Sequence, residues 1–190
     1  MNEQTNIIVD TATRMFADGV DKALLDAAET GVFPVALWQS VLATGFHSVG
    51  SPDSGTGLGE LYAFLDVAGA SAVPLPLADT LFANAWAGTI DGVSGIGEVA
   101  GETIVDVPWG RVAERVIGVV PGSAEIVVVD AVTVLAEGAN MAGEPRDTVA
   151  LPADARRISL ARDPLPLLAL ARAAQSIGAL RTVLQSALGY

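Results

Sequence analysis

The sequence contains no cysteine, so disulfides, thiolate metal sites and thiol catalysis are excluded. Bases are scarce: ten lysines and arginines stand against 22 acids, a formal net charge of −12. Nucleic acid needs a basic face for its phosphates, so that class of partner is set aside. Histidine occurs once, at His47, and no second one exists to build a triad or a typical zinc site. A lone histidine beside a helix end reads as a polar surface or capping residue. Long apolar runs are also missing. The longest near the end, Leu165 to Ala171, is closed by Arg162-Asp163 and Arg172, whereas a membrane span needs about 20 residues. Residues Met1 to Gln4 lack the basic start and apolar centre of a signal peptide. These absences predict a soluble, cytoplasmic chain with no membrane span, no metal site and no nucleic-acid partner.

What is present is apolar material. Hydrophobic residues make up 51% of the 190 and charged ones 17%, enough for one good core or two small domains sharing one. The charge is uneven. Residues 1–90 hold ten acids and two bases, a net −8, while residues 151–190 hold five arginines against Asp154 and Asp163, a net +3. That basic end could meet an anionic ligand such as a nucleotide pyrophosphate, although a solvated helix face explains it as simply.

The first half has helical periodicity. Ile8, Ala12, Met15, Phe16, Ala23 and Leu24 share one face, which predicts a single amphipathic helix over residues 6–29 with Thr5 or Asn6 as its N-cap. Gly19 weakens its middle by about 1 kcal/mol relative to alanine. Gly31 ends it, and Pro34 suits the first turn of the next helix, where Trp38 is expected in the core. Gly45 falls where a left-handed C-cap belongs. The loop Gly55-Thr56-Gly57-Leu58-Gly59 is not a dinucleotide fingerprint, because no strand precedes it and the spacing is wrong. It reads as a tight connection between helices. Leu61, Phe64, Leu65 and Ala68 then repeat the helical spacing, and Pro74-Leu75-Pro76 leads into a fourth helix.

Beyond Trp86 the texture changes. The glycines clustered across residues 88–102 mark the best domain boundary. Strand-like runs follow at Thr103–Val107, Val116–Val120, Glu125–Val129 and Val132–Leu135, with further ones at Thr148–Leu151 and Ile158–Leu160. Pro121-Gly122-Ser123 predicts a hairpin turn, and Asp130-Ala131 a tighter one. An antiparallel sheet is expected rather than a parallel nucleotide-binding one. The final element is a helix from about Pro166 to Gly189. Its apolar stripe is Leu170, Ala174, Ile177, Leu180, Leu184 and Leu188, and such a stripe wants partner helices.

This order of residues resembles the acyl-CoA dehydrogenase family. The family places a Leu-Trp helix before a glycine, here Leu37-Trp38 and Gly45. A proline- and glycine-bearing loop follows, here Pro52, Gly55, Gly57 and Gly59, and then a Pro-x-Pro segment, here Pro74 and Pro76. The segment Ala171 to Leu180, ending in Tyr190, looks like the opening helix of the family's C-terminal domain. The resemblance implies an α+β fold: an N-terminal helical domain (1–90), a small antiparallel β domain (91–163), and the first helix of an incomplete C-terminal helical domain (164–190).

The resemblance also implies a function. Family members oxidise an acyl-CoA thioester across its α,β bond, with FAD as hydride acceptor, an electron-transfer flavoprotein as partner, and fatty acids or steroid side chains as substrates. Their catalytic glutamate belongs to the part of the family's chain that would follow Tyr190. No catalytic residue is therefore expected among these 190, and Glu98, Glu102 and Glu114 have no spacing that marks them as bases. The family's Trp-Ile-Thr-like flavin strand ends in Ala-Asp, matched here by Ala113-Glu114. Counting back puts Asp106 at the tryptophan position and Pro108 at the hydroxyl position. Proline has neither a hydroxyl nor an N–H. Val107, Pro108 and Trp109 are the residues expected nearest a flavin. The alternative implied reading is a non-catalytic subunit that partners a dehydrogenase, as a homo- or hetero-oligomer formed through the terminal helix.

Overall fold

The computed structural model describes residues 2–189; Tyr190 lies outside them. Five helices occupy the first half: α1 (Glu3–Gly19), α2 (Lys22–Glu29), α3 (Val35–Ala43), α4 (Leu58–Ala70) and α5 (Leu77–Ala87). The single helix expected over 6–29 is therefore two. Asp21 accepts a hydrogen bond from the Leu24 amide at 2.8 Å and starts a new helix, and Asn2, not Thr5 or Asn6, caps α1 by accepting from the Thr5 amide at 2.7 Å. Gly45 has φ 74° directly after α3, as the C-cap reading requires. The loop at 55–57 joins two helices, and α4 already begins at Leu58. Glu60 caps α4 by accepting from the Gly57 amide at 3.0 Å, and its other oxygen accepts from the Thr5 hydroxyl at 2.8 Å.

His47 is not a surface residue. Its ring is largely covered, with Nε2 3.5 Å from an Asp91 carboxylate oxygen, and its backbone carbonyl accepts from Asn84 at 2.8 Å. Trp38 is core, beside Phe16, Phe46 and Phe64, whose rings stack obliquely at 5.0–5.7 Å.

Seven strands follow: β1 (Ser94–Ala100), β2 (Thr103–Pro108), β3 (Arg115–Val119), β4 (Glu125–Val129), β5 (Val134–Ala136), β6 (Arg146–Ala150) and β7 (Arg156–Ser159). They form one sheet in the order β5-β6-β2-β1-β3-β4-β7. The glycine cluster is thus partly a strand, β1, rather than only a boundary. A Cβ on Gly97 would lie 2.4 Å from the Val105 carbonyl oxygen, and one on Gly95 would lie 2.6 Å from Val107 Cγ1. These glycines make room for β2 side chains.

All strand pairs are antiparallel except β1 and β3, which run parallel with Ser94 opposite Arg115. Pro121 to Ser123 is the turn of the β3–β4 hairpin, as expected. Asp130-Ala131 is not a hairpin turn. β5 crosses to the far edge and pairs with β6, while Asp130 turns back to take the Arg115 guanidinium at 2.7 Å.

The main core is continuous from the helices into one face of the sheet, through Ile96, Ile117, Ile126 and Val128. The buried Thr80 hydroxyl fastens α5 to β1, donating to the Ser94 carbonyl and accepting from the Ser94 amide, both at 3.1 Å. The other sheet face has its own cluster of Ile104, Val107, Val116, Val129 and Val149.

The terminal helix is α6 (Leu165–Leu188). Leu167, Leu168 and Ala174 pack on the core, but most of the expected stripe does not seat the helix. Ala171 and Gly178 are buried against α4, whereas Leu170, Ile177, Leu180, Leu184 and Leu188 are 56–78% exposed. The polar side meets the helical layer instead: Arg172 reaches Asp79, Arg181 reaches Asp66, and the Thr182 hydroxyl donates to the Ala70 carbonyl at 2.9 Å. By length and composition α6 is the one helix among the described residues that could cross a membrane. The apolar composition carries on past Arg172, where the run was read as closed.

Candidate functional site

The end of β2 is where the sequence directs attention. Pairing with β6 shifts register between Ile104 and Val107, and Asp106 takes φ 57° inside that irregularity. A bulge of this kind re-aims the side chains around it. Val105 and Asp106 face one way, while Val107 turns into the apolar cluster on the opposite face and is fully buried. Pro108 is buried as well.

Trp109 follows with φ 53°, 1% exposed, its ring edge-on to Phe33 at 5.3 Å and its amide donating to the Pro145 carbonyl at 3.1 Å. The three residues expected nearest a flavin are thus contiguous in chain but divided in space. Val107 belongs to the sheet's second cluster, separate from the main core, and Trp109 packs against Phe33.

A clamp fixes this segment. Asp147, wholly buried, accepts from the Arg111 amide at 2.7 Å and from Arg111 Nη2 at 2.6 Å. Burial pushes the Asp147 carboxyl up, but hydrogen bonds from the Arg111 side chain and from the Arg111 and Gly138 amides, with the guanidinium charge, bring it below its ordinary value. Arg111 extends the pairing to Glu137 at 2.9 Å.

Beside the bulge lies a crevice of about 270 Å³ between the sheet and the start of α6. Its floor is Ile96, Val105, Val119 and Leu168, and its rim carries Glu98, Asp106 and Arg146. Sequence reasoning missed this set because it is gathered from β1, β2, β3, β6 and α6, and its β1 members, Ile96 and Glu98, were hidden in the glycine cluster. Arg146 is already engaged, at 2.6 Å from Glu144 and 3.6 Å from Asp106.

Further along α6, Arg172 lies 2.6 Å from the buried Asp79. The Asp79 charge raises the Arg172 pKa most; burial opposes it, and the Asp79 hydrogen bond and the charges of Glu144 and Asp106 add to it. One guanidinium therefore faces carboxylates from α5, β2 and the turn before β6. Glu98 and Asp106 are solvent-exposed, whereas a base for a carbon acid must be desolvated and close. Among the described residues no group of three or more acids or histidines could hold a metal ion.

No protein-family profile matches the chain, and neither does any curated protein. Solved structures do. The ChsE4-ChsE5 complex from Mycobacterium tuberculosis superposes over the whole chain with TM-score 0.76 at 17% identity, covering 67% of that chain. A variant of the Tcur3481-Tcur3483 steroid ACAD matches 90% of this chain and 61% of its own, with TM-score 0.70 and 22% identity. A glutaryl-CoA dehydrogenase from Mycobacterium smegmatis, in complex with FADH2, gives TM-score 0.67 at 13% identity and is covered over 66%. The class is therefore plain: helices, mixed sheet and closing helix make an acyl-CoA dehydrogenase fold. This chain spans about two thirds of the length of the structures that share it.

The crevice can be tested against a flavin. Its apolar floor accepts one face of a planar ring. Its rim offers nothing for a diphosphate, since the one arginine is neutralised and the remaining charges are carboxylates. The fit is to a ring alone, not to a whole dinucleotide.

Proposed function

We propose that this chain serves in an acyl-CoA dehydrogenase-type flavoprotein, forming one wall of the site rather than acting alone. In the assembled protein FAD supplies the hydride acceptor for α,β-dehydrogenation of an acyl-CoA, and an electron-transfer flavoprotein in the cytoplasm takes the electrons onward. The observation that carries this reading is α6. Small residues seat it on α4 while Leu170, Ile177, Leu180, Leu184 and Leu188 face outward, an apolar face that calls for further helices. Those helices would close the crevice and bring the groups it lacks.

One observation favours the narrower reading of a non-catalytic partner subunit. The crevice surrounds its single arginine with Glu144 and Asp106 and leaves it no charge to offer. The test is to purify the 190-residue chain with and without an acyl-CoA dehydrogenase-type partner. Visible spectra and acyl-CoA oxidation with an artificial electron acceptor are then recorded. Flavin retention and turnover are expected only with the helical partner. Stoichiometric flavin and turnover from the chain alone would refute the proposal, and flavin carried wholly on the partner would select the narrower reading.

A further inference from the structure

α2 is held by little. It has eight residues, and isolated helices shorter than about 12–15 are already marginal in water. Its last turn holds Asp26 and Glu29 and no basic residue, so the negative end of the helix dipole meets like charge. Ala28 is the one buried residue of the eight, with Leu24 half-covered against the core. No polar contact ties it down either. Among the described residues, the hydrogen bonds of residues 21–32 all stay inside that stretch, and the Lys22–Asp26 pair is internal to α2 and exposed. The neighbouring helices are fastened: α1 to α4 through Thr5 and Glu60, α5 to β1 through Thr80 and Ser94, and α6 through Arg172 and Arg181.

Both ends of α2 have room to turn. Val20 and Asp21 leave helical geometry between α1 and α2, at φ −111° and −127°, and Gly31 takes φ 85° beyond the other end. Past Gly31 the chain is anchored again, by Phe33 against the Trp109 ring at 5.3 Å and by the buried Pro34. What α2 covers is apolar. Leu25 and Ala28 form one side of a groove of about 340 Å³, and Ala72, Pro74 and Ala142 stand on the other. The end of α2 is seated on Gly143, at φ 80°, where a Cβ would lie 2.2 Å from the Glu29 carbonyl oxygen. A residue without a side chain lets the helix close down there.

We propose that α2 is a lid. Residues 21–31 swing away from the 72–74 connection and the hairpin at 139–145 as one unit, hinged at Val20–Asp21 and at Gly31, while α1, α3 and the sheet stay folded. Segments with few buried contacts open at far lower cost than the whole molecule unfolds. The opening turns a narrow groove into an exposed apolar shelf of Ala72, Pro74 and Ala142. The proposal does not rest on the flavoprotein reading, because none of these residues lines the crevice beside β2.

Lys22 is the sole lysine of the chain, so a lysine-specific endoprotease has one site, and it needs extended chain on both sides of the bond. On the native 190-residue chain a single cut after Lys22 is expected, at a rate that low denaturant scarcely changes, because cleavage follows the population of the open form. Hydrogen exchange should show residues 25–31 sharing one opening, about a hundredfold more frequent than that of α1 around Phe16 or α3 around Val41. Ala28→Gly should raise both readouts about fivefold, as the loss of helix propensity dictates. Glu29→Arg puts a cation at the helix end and should lower both about threefold. It also keeps the test open if the glycine variant does not fold. Exchange in α2 as slow as in α1, cleavage with the denaturant dependence of global unfolding, or exchange unmoved by Glu29→Arg would overturn the proposal.

Discussion

Gly178 of α6 rests on the Asp66 carbonyl oxygen of α4: a Cβ there would lie 1.9 Å from that oxygen. Gly69 mirrors the relationship, with its own missing Cβ 2.0 Å from the Gln175 carbonyl oxygen. The two helices touch backbone to backbone, and no side chain can yield to relieve a substitution.

Gly178→Ala tests which effect dominates. Helix propensity favours alanine by about 1 kcal/mol. Overpacking a tight contact costs about 1–3 kcal/mol, and here the obstacle is backbone, which sets the upper end. Net destabilisation of about 2 kcal/mol is expected in denaturant unfolding. An unchanged or raised midpoint would mean that α6 does not sit on α4 in solution.

Asp147→Ala should be far more damaging than a surface acid-to-alanine change. It strands the Arg111 guanidinium and leaves the Arg111 and Gly138 amides without their acceptor. Breaking one partner of a buried pair costs about 3–5 kcal/mol. Unfolding should show a loss near the low end of that range, since Glu137 still meets Arg111. The Trp109 emission should shift red as the segment loosens.

Glu60 should make the α1–α4 corner acid-sensitive. Hydrogen bonds from the Gly57 amide, then Thr5, then Asn2, lower its pKa from 4.5 to about 2. A depressed carboxyl pKa contributes stability that is fully present above the unfolded value of 4.5 and is lost as pH falls through about 2. In Glu60→Gln the part of the stability slope between these two pH values that Glu60 supplies should vanish. A wild-type slope in that variant would assign the sensitivity elsewhere.

Leu184→Glu should leave monomer stability within about 0.5 kcal/mol, because the side chain is more than half exposed. Self-association or partner binding, followed by light scattering, should fall at least tenfold. Unchanged association would show that the exposed stripe is not the docking face.

The local periodicities decided much by themselves. The helical first half, the strand-rich middle and the long final helix were all legible, as was the family likeness carried by Trp38, Gly45 and the prolines at 74 and 76. Those features rest on neighbours three, four or two residues apart, which the chain writes locally. What the sequence could not reveal depends on partners distant in chain. β1 was masked because its glycines answer to Val105 and Val107 across the sheet. β5 went to the β6 edge because pairing is set by sheet geometry rather than by the nearest turn. The seat of α6 was fixed by Ala171 and Gly178, with Leu167 and Leu168 at its start, and not by the leucines from Leu170 onward. Helices approach most closely where side chains are smallest, so packing kept Ala174 of the expected stripe and left its five large residues outside. The same long-range packing separated Val107, buried in the sheet, from Trp109, which packs against Phe33.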